Sequence, residues 1–336
     1  MTLAMIARAD QGGLGAQTWE FARHVRPDKT LVVLVGHQTR GEADVGRYID
    51  LGLEVQTCYL PSTEQEAWLL DGIDHLWTAE TWYSPTLVHK ARARGVVTTV
   101  HANPEMGVPE ADRTWLATDW LSHHFPDAVV TPFPVAGDVL QGSPVPMART
   151  FVHVLSEAME DRNGTEIVLR AAELLTHPCR LLMMGKIPRN LHPIARVGQV
   201  EITWLGHHPG LYYQAWPRAD VLLMPRRFGG LCLPIQEAFA QQIPVLTLDL
   251  EPQRRWVSES WRVPARRPRD VRMPGGLIQV FDCDPADYAA HWAWLIESEA
   301  TVRVGSHDAA TMGLQLDWVT MLGTYDRLFD RHPVPA

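Results

Sequence analysis

The chain has 336 residues, 46% of them hydrophobic and 21% charged, with a formal net charge of −9. That balance excludes a disordered chain, gives two domains room for their own cores, and speaks against a generic nucleic-acid coat. Cys58, Cys179, Cys232 and Cys283 lack metal-ligand spacing, and no apolar run approaches the roughly 20 residues of a membrane span. The expectation is a cytoplasmic protein with buried or incidental thiols.

Strand-like and helix-like signals alternate along the first half, the mark of a parallel α/β sheet. Strands are expected at 3–7, 30–35, 53–60, 75–79 and 96–101, a helix at 85–94, and a closing strand at 128–135. Between the first two strands, Leu14, Thr18, Phe21, Ala22 and Val25 recur at helical spacing and form one buried face. Gly137, Gly142, Pro144 and Pro146 mark a linker over 136–149. The alternation restarts with strands at 150–155, 180–184, 200–205 and 277–281 and a helix at 164–175. Residues 306–329 read as a terminal helix with Met312, Leu316, Val319, Leu322 and Tyr325 on one face.

The most informative stretch is 220–238. Val221 to Met224 is a short continuous apolar run, as expected of a parallel strand covered on both faces. Gly229 and Gly230 let backbone approach a ligand closely, and Pro234 suits the first helical position. Such a loop offers free amides, Leu231 among them, and the positive end of a helix dipole to an anion such as a diphosphate. Glu237, one turn in, can accept hydrogen bonds from vicinal hydroxyls.

This pattern resembles the nucleotide-sugar site of the family-4 retaining glycosyltransferases, whose fold is GT-B. The resemblance places a second Glu at Glu237, but eight positions earlier, where the family carries its first Glu, stands Gly229. The role credited to that acid, touching the sugar or supporting the transition state, is vacant or moved. Gly12-Gly13-Leu14-Gly15 is either a tight βα turn or a loop whose amides meet a phosphate or sugar. The segment 9–18 around it is similar to phage and actinobacterial-type members of the superfamily. Arg162-Asn163-Gly164 has Asn163 where the resemblance calls for Lys, so Arg162 is the substitute cation, with Lys186 a second candidate. Both would stabilise charge building on a departing diphosphate.

At the end of the strand 96–101, His101 is the candidate for proton exchange, and Asn103 and Glu105, with Asp10 and Glu80, are candidates for holding an acceptor. A turn at Asn103-Pro104 and an incidental histidine remain the plain alternatives. In Asp282-Cys283-Asp284 a helix N-cap at Asp284 is preferred to a metal site. Seven arginines between 254 and 272 form either a solvated loop or a surface for a phosphate-rich acceptor.

The resemblance therefore implies an α/β protein of GT-B type. Two Rossmann-like domains would face a central cleft: an acceptor domain over 1–140 and a donor domain over 150–305. A C-terminal segment, 306–336, would return toward the first domain. The implied reaction moves a sugar, with retention, from a nucleotide-diphosphate sugar of unspecified base, without metal or other cofactor, to a hydroxyl of a glycan, lipid or protein. A hydroxymethylated base in phage DNA is an alternative acceptor, and a non-catalytic nucleotide-sugar-binding protein is the second alternative.

Overall fold

The computed structural model describes residues 1–10, 12–34, 44–135, 137, 142–155, 161–187, 191–206, 216 and 218–329. Gln11, Val35 and most of 136–141, all within segments singled out above, lie outside the described residues. The chain divides into two compact units, Met1–Pro134 with Trp318–Ala336, and Val135–Asp317.

The first unit runs β1 (Leu3–Arg8), α1 (Gly13–Val25), β2 (Lys29–Val33), α2 (Gly46–Asp50), β3 (Glu54–Cys58), α3 (Thr63–Leu69), β4 (His75–Ala79), α4 (Leu87–Ala93), β5 (Val97–Ala102), β6 (Arg113–Leu116) and β7 (Val129–Val130). Its described strands form one parallel sheet in the order β3-β2-β1-β4-β5-β6-β7. Continuous burial of Leu3 to Ala7 and of His75 to Ala79 follows from helices covering both faces. The short β6 and the helix α3 carry no legible period. Glu66, buried in α3, interrupts its apolar stripe and is matched by Lys90 and Ser84. What starts α3 is local, a capping box in which Ser62 and Gln65 exchange side-chain to backbone bonds.

The second unit continues with β8 (Thr150–Val154), α5 (Thr165–Leu174), β9 (Cys179–Met184), β10 (Arg196–Val197), β11 (Val200–Gly206), β12 (Val221–Met224), α6 (Leu233–Ala240), β13 (Val245–Leu248), β14 (Arg262–Val263), β15 (Arg266–Met273), β16 (Gly276–Asp282), α7 (Pro285–Glu297) and α8 (Glu299–Gln315). The main sheet is ordered β10-β11-β9-β8-β12-β13-β14 and is parallel apart from its β10 edge. The chain proceeds from β8 to one side and from β12 to the other, so the topological switch lies between these two strands. Val152, Leu222, Leu246 and Ile235 lie in its fully buried core.

Two expectations change here. The arginine segment is not wholly loop: residues 266–273 pair with β16 as an antiparallel ribbon, so 277–281 leaves the parallel series. Ile278 and Met273 supply its buried side, and cross-strand pairing makes a strand of an otherwise polar sequence. The terminal helix is two helices. At Leu316 and Asp317 the chain leaves α8 to bridge Val135, whose N–H donates to the Leu316 carbonyl at 2.8 Å, and α9 (Trp318–Phe329) begins beyond it. Residues 306–315 thus belong to the second unit and α9 to the first.

Within the first unit α9 closes an aromatic core. Phe21 stacks on Trp77 at 3.6 Å, Phe329 lies 5.0 Å from Trp115 and 5.9 Å from Phe21, and the Tyr325 hydroxyl donates to the Pro132 carbonyl. Trp318 packs on Phe133 and stacks against His24. Each ring pair adds about 0.5–1.5 kcal/mol beyond area burial. Truncating Phe329, which is 2% exposed, should cost about 3–5 kcal/mol. Urea denaturation of Phe329→Ala checks this, and a loss below about 1 kcal/mol would show that α9 is not part of this core.

Candidate functional site

In the second unit, β9, β8 and β12 are neighbours and parallel, so the loops leaving their carboxyl ends emerge side by side. These loops carry Lys186, Arg162 and the run 225–232. The two helices that begin here differ. At α5 the first amides are already taken, because Asp161 accepts from the N–H of Thr165 and of Glu166, each at 2.9 Å. At α6 no side chain caps the start, and the N–H groups of 229–233 donate to no protein acceptor among the described residues. Buried amides of that kind require a partner, and with the helix dipole behind them an anion is the favoured one. Pro234 sits at the second helical position, where its missing N–H leaves no bond broken.

Arg226, 5% exposed, organises this loop. Its Nη1 donates to Asn163 Oδ1 at 3.0 Å and its Nη2 to the Leu231 carbonyl at 2.7 Å. Asn163 in turn donates through Nδ2 to the Val154 carbonyl at 2.9 Å. Arg162 lays its guanidinium over the Phe228 ring, 5.4 Å from the centroid. Gly229 has φ +102° and lies against both arginines: a Cβ there would come within 2.9 Å of Arg162 Nε and of Arg226 Nη2. Gly164 is equally confined, for its Cβ would run into Pro225. Of the residues expected at this site, the structure brings together Arg162, Gly229, Gly230 and Leu231. Arg226 was legible only as part of the quoted segment, with nothing to mark it as the organiser.

Glu237 lies on α6 one turn beyond the loop, 5% exposed, and its Oε2 accepts from Trp216 Nε1 at 2.7 Å. Lys186 is exposed and follows Gly185, whose φ of +118° turns the chain out of β9. His153 is buried beneath the site. One ring nitrogen, Nδ1, meets the Leu223 carbonyl at 2.8 Å and so carries the proton, and Nε2 meets the Thr165 hydroxyl at 2.9 Å. Burial holds its pKa below the ordinary value, and the neutral ring pins β8 to β12 and to the start of α5.

In the first unit the switch lies between β1 and β4. Asp10, at the end of β1, accepts from Arg8 Nε at 2.5 Å and from the Gly12 N–H at 2.7 Å. A Cβ on Gly15 would strike the Asp10 carbonyl, so the first turn of α1, with Gly13 and Leu14, can close on β1 only because residue 15 is glycine. The amides of residues 13–15 donate to no protein acceptor among the described residues. Under them lies Arg47, 6% exposed, whose Nη2 donates to the carbonyls of Arg8, Asp10 and Gly15. A lone Arg in an unpatterned stretch gives no sequence signal of this role.

Beside Asp10 the chain is strained: Glu80 has φ +63° and Tyr83 φ +56°, a conformation that side chains adopt at a cost of about 1–3 kcal/mol. Asn103 donates to Glu80, and Arg8, Asp10 and Glu80 all act electrostatically on the Tyr83 hydroxyl, whose pKa burial pushes up to about 12. Asp10, Glu80 and Asn103 thus form one polar group, joined by Arg8 and Tyr83. Glu105 is fully buried in the turn Pro104–Met106.

His101 needs correction. It is 1% exposed, its Nε2 lies 2.9 Å from the Thr131 carbonyl, and Trp77, Trp115, Phe133 and Tyr325 surround it. Burial lowers its pKa from 6.5 to about 4, so at neutral pH it is an uncharged residue of the aromatic core, which does not suit it to proton exchange. Its position at a strand end was readable; the aromatic wall around it was not. Asp282 pairs with Arg227 at 2.9 Å, and Asp284 caps α7 by accepting from the Ala286 N–H. Among the seven arginines, Arg254 and Arg262 pair with Asp249, Arg255 with Glu251 and Arg266 with Asp287.

Because the folded-state pKa of His101 is depressed, the unfolded chain binds the extra proton between pH 6.5 and 4. Its contribution is complete above pH 6.5 and is lost as pH falls toward 4, by about 3 kcal/mol. Urea denaturation from pH 7 to 4 should show a steeper loss for the parent than for His101→Gln, which keeps a donor for Thr131 but does not titrate. Parallel pH profiles would contradict the assignment.

Comparisons with known proteins bear on the fold. Residues 149–273 match the family model described as glycosyl transferases group 1. No curated protein sequence matches the chain. Among solved structures, a sucrose-phosphate synthase from Thermosynechococcus elongatus superposes with TM-score 0.68 at 13% identity over 99% of this chain and 100% of that one. HepE from Anabaena, in complex with UDP and glucose, gives 0.66 at 14% over 99% and 100%. AviGT4, a glycosyltransferase of avilamycin A biosynthesis, gives 0.60 at 14% over 98% and 97%. The chain has the GT-B-like fold with two Rossmann-like sheets, and the segment that resembles the glycosyl transferases group 1 model, 149–273, lies in its second unit.

Proposed function

We propose that the protein is a retaining glycosyltransferase that takes a sugar from a nucleotide-diphosphate donor held by the second unit and passes it to a hydroxyl acceptor recognised by the first. The observation that carries this is the uncapped, amide-lined start of α6, flanked by Arg162 and followed one turn later by Glu237. A diphosphate satisfies the amides and the guanidinium, and Glu237 accepts from a ribose hydroxyl while Trp216 steadies its other side. In the transfer the bond from the anomeric carbon to the diphosphate oxygen breaks. The acceptor oxygen bonds the same carbon, and its proton passes to a departing phosphate oxygen. Arg162, Lys186 and the amides near Gly230 and Leu231 stabilise the charge that collects there.

On the acceptor side, Asp10, Glu80 and Asn103 supply acceptors and donors suited to sugar-like hydroxyls. Four of the seven arginines between 254 and 272 are paired with carboxylates, which weakens their pull on DNA and favours a glycan, lipid or protein acceptor over a modified base. Among the described residues no helix is long and apolar enough to cross a membrane. The uridine in the HepE complex makes UDP-sugars the first donors to try.

A thermal-shift screen of nucleotide sugars tests the reading, since a donor at 100 times its Kd adds about 2.7 kcal/mol of stability. A stabilising donor that turns over with an acceptor supports transfer; a donor that binds with neither hydrolysis nor transfer would indicate a nucleotide-sugar-binding protein instead. Glu237→Ala should weaken donor binding by about 10–100-fold, the worth of a charge-assisted bond. Unchanged affinity in the folded variant would remove Glu237 from the site.

A further inference from the structure

We infer that the acceptor carries its hydroxyl on an apolar ring body, and that this ring occupies a cavity of the first unit walled by Trp82, Tyr83, Pro85, Val88 and Pro109. The inference rests on the acceptor reading above and specifies the body of the molecule whose hydroxyl meets Asp10, Glu80 and Asn103.

Three observations meet in the segment that follows β4. The first is the cavity, about 410 Å³ in volume, within the roughly 300–1,000 Å³ range of small-molecule sites. Its walls come largely from the loops that follow β4 and β5, neighbouring parallel strands whose carboxyl ends also lead into Glu80 and Asn103. Loops at that edge of an open α/β sheet are where ligands gather. The second is strain. Glu80 at φ +63° and Tyr83 at φ +56° enclose Thr81 and Trp82, and a bulky ring in the left-handed region is rare. Such strain marks ligand sites more often than plain turns. Tyr83 lines the cavity while its hydroxyl lies in the field of Arg8, Asp10 and Glu80. One side chain thus forms a wall common to the cavity and the polar group.

The third is how the polar groups of the wall are engaged. Trp82, 5% exposed, donates through Nε1 to the Glu110 carbonyl at 2.8 Å. The Glu110 carboxylate pairs with Arg92, Ser84 donates to the Glu66 carboxylate, and the Thr81 carbonyl accepts from the Thr78 hydroxyl at 2.7 Å. Trp82 and Val88 belong to the apolar core of the unit, and Tyr83 packs against it. A polyhydroxylated chain entering here would lose water from its hydroxyls and meet partners already taken. An aryl or alicyclic ring gives up only apolar surface and gains face contacts with Trp82, Tyr83 and the prolines. The hydroxyl end of the acceptor then belongs at Asp10, Glu80 and Asn103, and its ring in the cavity. Of the acceptors named above, a glycan is the one this division disfavours.

The test is calorimetric titration of the full chain with 2-naphthol, 4-methylumbelliferone and cyclohexanol, each with and without UDP or GDP. Maltose and methyl glucoside serve as polyhydroxylated comparators. Pro85→Trp and Pro109→Trp each fill the cavity from a separate loop; Pro85 is exposed and Pro109 half-buried, so neither change removes a core side chain. At least one ring alcohol should bind the parent, and each tryptophan variant should weaken that binding by at least about tenfold. Maltose and methyl glucoside should bind the parent at least about tenfold more weakly than that alcohol. Three results each overturn the cavity assignment and leave the donor reading intact: parental ring-alcohol affinity in both folded variants, maltose binding that the variants abolish, or no ring-alcohol binding by a parent that binds UDP or GDP. A parent that binds ring alcohols but no nucleotide and no nucleotide sugar overturns the transferase reading, and with it the acceptor role. A parent that binds neither class overturns both.

Discussion

The bond pair made by Arg226, to Asn163 on one side and the Leu231 carbonyl on the other, is the constraint on which the second unit's site depends. Parallel strands bring the loops after β8 and β12 to the same edge, but adjacency alone leaves two loops free to move independently. A rigid guanidinium fork bonded to both converts them into one surface. His153 does the same one layer down, joining β8, β12 and the start of α5 through two hydrogen bonds of a neutral ring. Arg227, the next residue, turns the other way and ties the loop to the β16 ribbon through the Phe281 carbonyl and Asp282.

The two helix starts in this unit differ in how they are capped. Both α5 and α6 follow strands at the switch, and both have the dipole that favours negative charge. Asp161 already supplies that charge to α5 from within the chain. At α6 no side chain caps the first turn. A helix N-terminus is a site only where the protein has not filled it itself.

The first unit solves a similar problem with a different residue. Arg47 gathers the carbonyls of Arg8, Asp10 and Gly15 and so fixes the glycine loop. The strained turn at Glu80 and Tyr83 lies at the end of β4, next to the end of β1 in the sheet. Backbone strain persists only where surrounding structure over-determines it. Here the Thr78 hydroxyl on the Thr81 carbonyl and Asn103 on Glu80 hold the turn in place. The aromatic core completed by α9 lies behind these groups and includes His101, which explains why a histidine at a strand end can be a packing residue.

The alternation of apolar runs with helical periods was enough to determine two parallel α/β halves, because a strand buried on both faces and a helix buried on one leave unmistakable periods. The stretch 220–238 likewise determined a strand, a glycine loop and a helix bearing Glu237, since each element there is local. Only the tertiary structure decided what the polar residues do, because their roles are set by partners distant in sequence. Arg226 meets Asn163 across 63 positions, Arg47 meets Asp10 across 37, and the 266–273 segment is a strand only because β16 pairs with it. The break between α8 and α9 was hidden for the same reason: a helical period continues through Leu316, and the bond from Val135 that ends it comes from the far side of the unit's own sequence. Periodicity records which face a residue turns inward, whereas hydrogen bonding and charge depend on what is already there when it arrives.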